Sequence, residues 1–291
     1  MKRRQLLLTG ATACAAAYVA APALAVARGE PTGTLRFGTT PVFLDDQVGF
    51  LARWAAYLSA TVGTPVQFVR RRSYRDIMGL LRSQELEAAW ICGFPWVVNK
   101  QSLRGLSIPI YEGAPLYRSY LIVPSTDRKT SSHADLAGKV FAFSDPDSNS
   151  GYLVPRTTMI RAGIDPDRHF ARTFYTWGHK NVVRAVADGL ANGGSVDGYV
   201  WDTLGKVAPA LVAKTRVAWR SPLYGFPPLV VRASLNEEVE TRLRSALIGM
   251  TGSPEGRALL TELNLDGFGP FRDQVFDSIA ALVAVNTGRN T

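Results

Sequence analysis

Cysteine is nearly absent: the 291 residues hold two, Cys14 and Cys92. Cys14 falls inside an N-terminal leader, where Ala11 stands at the place a lipid-attachment signal usually gives to Leu. A processed chain keeps Cys92 alone, which excludes an intramolecular disulfide. Histidine is almost as scarce, three in all, and neither a metal-ligand cluster nor a paired general acid and base stands out. No Gly-Lys-Ser/Thr phosphate loop occurs, and Ser150 lacks the G-x-S-x-G elbow of a nucleophilic serine. Dense Lys/Arg stripes are missing too. The short cluster Arg70-Arg71-Arg72 reads as a solvated strand end, not as a nucleic-acid surface. These gaps leave no cofactor, metal or nucleic acid in the account.

What the chain does have at its start is an export leader. Lys2, Arg3 and Arg4 precede an uncharged run from Leu6 to Ala27, and Ala23 and Ala25 form an A-x-A cleavage signal. Residues 1–25 therefore read as a cleaved leader and the mature protein as periplasmic. The adjacent arginines resemble a twin-arginine signal, although an ordinary secretory leader fits the same residues. An uncleaved anchor is a further reading, since the run is about long enough to span a bilayer. Loss of the leader removes three cations and no acids, so the formal charge of +9 falls to +6. That mild positive bias suits attraction of small anions. With 46% apolar residues the chain has material for a large core, expected as two lobes.

Strand-like and helix-like segments alternate along the whole length. Strands are expected at 35–38, 65–69, 86–92, 106–111 and 119–123, then at 140–143, 173–176, 196–201 and 222–231. The tail, from 235 on, reads as helical. Ser73 with Asp76 three residues on is a capping box. Such alternation implies α/β architecture with parallel sheets covered on both faces. Ligands in these sheets bind beyond the carboxyl ends of strands.

The residues directly after strands therefore carry the functional reading. Thr39, Thr40, Phe43 and Asp45 follow the first strand, and Ser73 and Tyr74 the second. Cys92, Gly93 and Pro95 follow the third. Most informative is Phe141-Ala-Phe-Ser-Asp-Pro-Asp-Ser-Asn-Ser-Gly-Tyr-Leu-Val-Pro155, an apolar strand, a polar turn and a helix start. In that geometry, backbone N–H groups and hydroxyls converge on an anion. Ser148, Asn149, Ser150 and Gly151 sit in the turn, with His179 at a later helix start and Asp197 at a later strand end.

This pattern resembles the phosphate/phosphite/phosphonate-type substrate-binding proteins of ABC transporters. The resemblance rests on Gly38-Thr-Thr-Pro41, Ala88-Ala-Trp-Ile-Cys-Gly-Phe-Pro95, Ser119-Tyr-Leu-Ile-Val-Pro124, Asp145-Pro-Asp-Ser-Asn-Ser-Gly151, the His179 helix start and Val196-Asp-Gly-Tyr199. It implies a type II periplasmic-binding-protein fold, two lobes joined by two crossover hinge strands, expected at 119–124 and 222–231. Lobe one would combine 31–121 with 223–291, and lobe two would be 122–222. By the same resemblance, Ser148-Asn149-Ser150 is the oxyanion cradle, with Asn149 departing from a Ser/Thr-rich triplet. Tyr74 is the aromatic after the second strand, His179 a cleft-facing histidine, and Asp197 the acceptor for a protonated ligand oxygen. The implied partners are a small oxyanion and a transporter permease, and the implied function is capture and delivery, not catalysis.

Plainer readings accompany each residue. The Ser-Asn-Ser turn also reads as an N-cap with an Asx-turn. Asp197 also reads as a loop residue bonding its own backbone, Tyr74 and Phe43 as plugs of the core rim, and His179 as a helix cap. Cys92 reads as a buried small apolar residue or as a thiol facing the cleft. The second form resembles a periplasmic group that senses arsenite and signals to a membrane histidine kinase, because a thiolate suits As(III). Cys92 with His179 as a nucleophile–base pair would be an enzyme, but no orienting carboxylate is evident.

Overall fold

The computed structural model describes residues 33–40 and 48–288. The leader at 1–25, Phe43 and Asp45 lie outside the described residues. In chain order the strands are β1 Leu35–Thr39, β2 Val66–Arg70, β3 Ala88–Trp90, β4 Leu103–Ile110, β5 Leu116–Tyr117, β6 Ser119–Pro124 and β7 Val140–Phe143. They continue with β8 Arg172–Tyr175, β9 Gly193–Asp197, β10 Thr215–Arg220, β11 Tyr224–Gly225, β12 Leu229–Arg232 and β13 Gly267–Pro270. Two sheets result, ordered β13-β4-β12-β3-β1-β2 and β10-β6-β9-β7-β8. Each contains a parallel trio, β2-β1-β3 and β8-β7-β9, followed by an antiparallel strand, β12 or β6. This is the two-lobed α/β arrangement expected.

Each parallel trio occupies one end of its sheet, with β2 or β8 as the partly exposed edge strand and the other two strands covered. All three residues of β3 and all five of β9 are buried, as strands covered by helices on both sides must be. In lobe one the helix Val48–Val62 turns Phe50, Leu51, Trp54, Tyr57 and Leu58 inward. Trp54 is fully buried, its ring 4.9 Å from Phe68 and 6.2 Å from Phe37. Truncating it to Ala would cost about 3–5 kcal/mol. In lobe two Phe141 stacks on Phe170 at 4.4 Å and meets Phe143 edge-on. Ser73 caps the helix Tyr74–Arg82, its Oγ accepting the Asp76 N–H at 3.1 Å; of the expected capping box this N-cap half is formed.

Several expectations change: the strand expected at 196–201 runs instead from Gly193 to Asp197, and residues from Gly198 form a helix. Ser119–Pro124 is not a crossover but an interior strand of the second sheet, paired with both β10 and β9. The chain crosses between sheets just before it and after β10, where β5 and β11 form a two-residue antiparallel ladder, Tyr117 opposite Tyr224. The segment 222–231 splits into that ladder strand and β12, which lies inside the first sheet. The helical tail is interrupted by β13, Gly-Phe-Gly-Pro, at a sheet edge where Pro is tolerated.

Candidate functional site

The C-terminal ends of the two parallel trios meet, and hydrogen bonds join them. From lobe one come Thr39 at the end of β1, Tyr74 after β2 and Cys92 after β3. From lobe two come Ser144 to Gly151 after β7, His179 after β8 and Asp197 at the end of β9. The Tyr74 N–H donates to Asp145 Oδ2 at 3.1 Å, and the Tyr74 hydroxyl lies 3.1 Å from His179 Nε2. The Asn149 N–H donates to Cys92 Sγ at 3.2 Å, and Asn149 Nδ2 to the Tyr117 hydroxyl at 3.0 Å. The Ser119 hydroxyl holds the Ser150 carbonyl at 2.6 Å.

The polar turn owes its shape to its small residues. Ser148 Oγ accepts the Gly151 N–H at 3.0 Å, and residues Asn149–Leu153 form a π-helical turn before the helix Val154–Arg161. A Cβ on Gly151 would fall 1.9 Å from Ser144 Oγ, so the turn closes only on glycine. Ser148, Asn149 and Ser150 are all buried. Yet Asn149 Oδ1, Ser150 Oγ and Ser144 Oγ have no hydrogen-bond partner, and neither does Thr39 Oγ1 across the cleft. An unpaired buried polar group costs about 1–3 kcal/mol. Four of them at the meeting strand ends mark a place built for polar contacts that the chain itself does not complete.

Burial sets the charge state of this cluster. His179 Nδ1 receives the Asp197 N–H at 3.0 Å, and a backbone N–H can only donate. The neutral ring therefore carries its proton on Nε2 and donates to the Tyr74 hydroxyl, whose own proton is left for another acceptor. Burial lowers the His179 pKa to about 3, so the ring stays neutral. Burial also raises the Asp197 carboxyl to about 8, against the opposing N–H groups of Val200 and Tyr199. The Cys92 thiol is pushed up to about 11, chiefly by burial, and Tyr74 and Tyr117 rise for the same reason. None of these residues is Lys or Arg; the cluster offers neutral donors and the buried carboxyls of Asp197 and Asp145, the latter already accepting the Tyr74 and Asp147 N–H groups.

The structure thus brings together Tyr74, Cys92, Ser148, Asn149, Ser150, Gly151, His179 and Asp197. Gly93 begins the helix Gly93–Asn99, but its open side faces the C-terminal helix: a Cβ there would lie 2.5 Å from Ile279 Cδ1. Asp197 ends β9 and caps the helix Gly198–Val207, accepting the Val200 N–H at 3.4 Å; it is a helix cap and not the loop residue of the plainer reading. Both nitrogens of His179 are engaged and Cys92 is protonated, so the geometry supplies no nucleophile–base pair. Cys92 is the sole cysteine among the described residues and is buried against the Asn149 N–H, so no second thiol is at hand for As(III). Among the described residues no group of His, Cys, Asp and Glu could hold a metal ion. Tyr117 was not singled out from the sequence, because β5 has only two residues and shows no period; Ser119 opens the expected strand at 119–124 but was not read as a site residue.

Comparison with known proteins agrees with this geometry. The model of the family of ABC-transporter phosphonate periplasmic substrate-binding proteins matches residues 37–276. The phosphonates-binding periplasmic protein of Escherichia coli (strain K12) is 26% identical over 253 residues, 84% of this chain and 73% of that protein. The phosphate-import protein PhnD of Mycolicibacterium smegmatis is 25% identical over 200 residues, 65% of this chain and 62% of the relative. Among solved structures, a binding component of a phosphonate ABC transporter from Pseudomonas aeruginosa has a TM-score of 0.80 at 23% identity, over 89% of each chain. PhnD1 from Prochlorococcus marinus, solved with methylphosphonate, has a TM-score of 0.78 at 18% identity, over 88% of this chain and 99% of that one. The structures support the fold and the sequence match the membership: this chain belongs to the phosphonate-type periplasmic substrate-binding proteins of ABC transporters.

Proposed function

We propose that the protein captures a small tetrahedral phosphorus oxyanion (phosphonate, phosphite or hydrogenphosphate) between its lobes and hands it to an ABC-transporter permease. The carrying observation is the set of buried hydroxyls without partners, Thr39 Oγ1, Ser144 Oγ and Ser150 Oγ, at the strand ends where the lobes meet, with the unpartnered Asn149 Oδ1 left to accept from a protonated ligand oxygen. The names of the Escherichia coli and Mycolicibacterium smegmatis relatives support that ligand class. The boundary between the lobes lies at the β5–β11 ladder, which is the hinge, so the whole of β6 goes to lobe two instead of being divided at residue 121. The leader, residues 1–25, is removed on export.

Hydroxyls of Tyr74, Ser148 and Ser150 and the Asn149 amide replace water around the anion, each charge-assisted bond contributing about 1.5–3 kcal/mol. With no Lys or Arg in the cluster, the proton balance falls to Asp197. Its carboxyl, held near pKa 8, shares one proton with the ligand. Hydrogenphosphate brings its own proton throughout the range around that pKa, phosphite and phosphonates bring one only as monoanions at lower pH, and sulfate brings none. Rejection of sulfate therefore sharpens as pH rises through about 8. Closure shifts an open–closed equilibrium that the permease reads.

A thermal-shift panel of phosphate, phosphite, methylphosphonate and sulfate tests the reading. A ligand at 100 times its Kd adds about 2.7 kcal/mol of stability, a shift of several degrees. Absence of any shift with all three phosphorus anions would sink it. Mass spectrometry of the exported protein locates the processed N-terminus.

A further inference from the structure

Just outside the buried cluster lies an open groove of about 1320 Å³ whose two walls belong to different lobes. One wall is the end of β2 and the residues after it, with Arg71 and Arg72; the other carries Trp177. Between them the lobes touch, through the Tyr74 N–H on Asp145 and through Arg75, 3.8 Å from Asp147. The acids along the groove are largely committed. Asp145 accepts from Tyr74 and from the Asp147 N–H, Asp147 faces Arg75, and Asp76 sits in the first turn of its helix. Arg71 and Arg72 are different. Both are exposed, and among the described residues neither meets a carboxylate; Arg71 reaches only the Arg70 carbonyl.

Trp177 faces them with 48% of its surface exposed and its backbone in the left-handed region, φ 59°. A bulky residue held there is strained, and half of its indole is left to solvent. The buried cluster, by contrast, contains no Lys or Arg, so its pull on an anion is confined to contact distance. Guanidinium charge at the mouth acts over about a Debye length, roughly 8 Å in physiological salt. Capture and retention are thus assigned to different residues.

We propose that this groove is an outer anion site: Arg71 and Arg72 gather the incoming oxyanion at the mouth, before the lobes close over it. The inference rests on the capture function proposed above and adds the step that precedes closure. Guanidinium groups suit it because they bind oxyanions in a bidentate fork yet, fully hydrated here, release them readily. Trp177 lies against the same space and is a natural reporter of arrival.

Stopped-flow fluorescence with inorganic phosphate and with methylphosphonate tests this. In Arg71→Gln/Arg72→Gln the on-rate should fall about tenfold at low ionic strength. The difference should close above about 0.5 M salt, while the off-rate stays within about twofold, since affinity changes of steering charges reside in association. The charge-preserving Arg71→Lys/Arg72→Lys should keep most of the on-rate. Arg168→Gln, an exposed cation away from the groove, should leave it unchanged. An unaltered on-rate in the double Gln variant, a loss located in the off-rate, or an equal loss in Arg168→Gln would each overturn the outer site. If neither anion binds the unaltered protein, the capture function itself fails, a result distinct from a bound anion with an unchanged on-rate.

Discussion

Two turns at strand ends face each other across the cleft, Cys92-Gly-Phe-Pro after β3 and Ser144 to Gly151 after β7, and they meet in one bond, Asn149 N–H to Cys92 Sγ. Both contain a glycine that no larger residue replaces without displacement. The neighbour of Gly93 is the Ile279 methyl at 2.5 Å, whereas that of Gly151 is the Ser144 hydroxyl at 1.9 Å. One glycine packs the turn onto apolar side chains, and the other folds it back on its own polar groups. The first turn holds lobe one's surface in place, while the second concentrates donors. A binding cleft needs both: a rigid wall and a polar cradle pressed against it.

The largest effects should separate the two glycines. Gly151→Ala forces Ser144 away and should cost about 1–3 kcal/mol, with oxyanion binding lost. Gly93→Ala meets the far end of a flexible side chain and should sit at the low end of that range, with binding retained. Urea melts and calorimetry on both variants would break the comparison if their losses matched.

Asn149→Ala removes the bond to Tyr117 and one unpartnered oxygen together. Affinity should fall about 10- to 100-fold, equivalent to 1.4–2.7 kcal/mol, as read by calorimetry.

Asp197→Asn keeps a good helix cap and removes the charge. Its raised pKa contributes stability fully below the ordinary 3.8 and loses it as pH rises to about 8. His179, lowered to about 3, contributes fully above 6.5 and loses that as pH falls. Between 3.8 and 6.5 the two slopes oppose each other; from 6.5 to 8 Asp197 acts alone, and stability declines with pH by about 2 kcal/mol. In the Asn variant, denaturant melts across that window should show no such decline relative to the unaltered protein. The variant should also lose the growth of sulfate rejection above pH 8.

The smallest effect belongs to Cys92→Ser, which retains an acceptor for the Asn149 N–H. Affinity should change by no more than about threefold, half of one tenfold step in free energy. A larger loss would promote the sulfur from wall to ligand contact.

Much of this was legible in the sequence because β1, β3 and β7 are apolar runs ended by turn residues. The polar turn, the Ser73 cap and the strand ends before Tyr74 and Cys92 could be placed, whereas the strand expected at 196–201 was misplaced because β9, Gly-Gly-Ser-Val-Asp, carries little apolar signal. What escaped was short or relational. The ladder strands Leu116–Tyr117 and Tyr224–Gly225 have two residues each, below any detectable period, so the crossover was assigned to the longer apolar run at 119–124. Tyr117 went unseen for the same reason. No single-residue signal shows that Arg71 and Arg72 face Trp177, 105 positions from Arg72, because that adjacency arises only when the two lobes come together. Asp197 shows the reverse case: its place in the cluster was legible, but its service as a helix cap needed coordinates.

The last helix, Asp277–Asn286, seats on both jaws at once. Ile279 presses on Gly93 beside the lobe-one turn. Farther along, the Leu282 carbonyl accepts the Thr157 hydroxyl and Asn286 Oδ1 accepts from Arg156, both on the helix that follows the lobe-two cradle. It acts as a strut across the joint: any widening of the mouth must slide or detach it. A helix peripheral by sequence thereby ties the two sides of the cleft together.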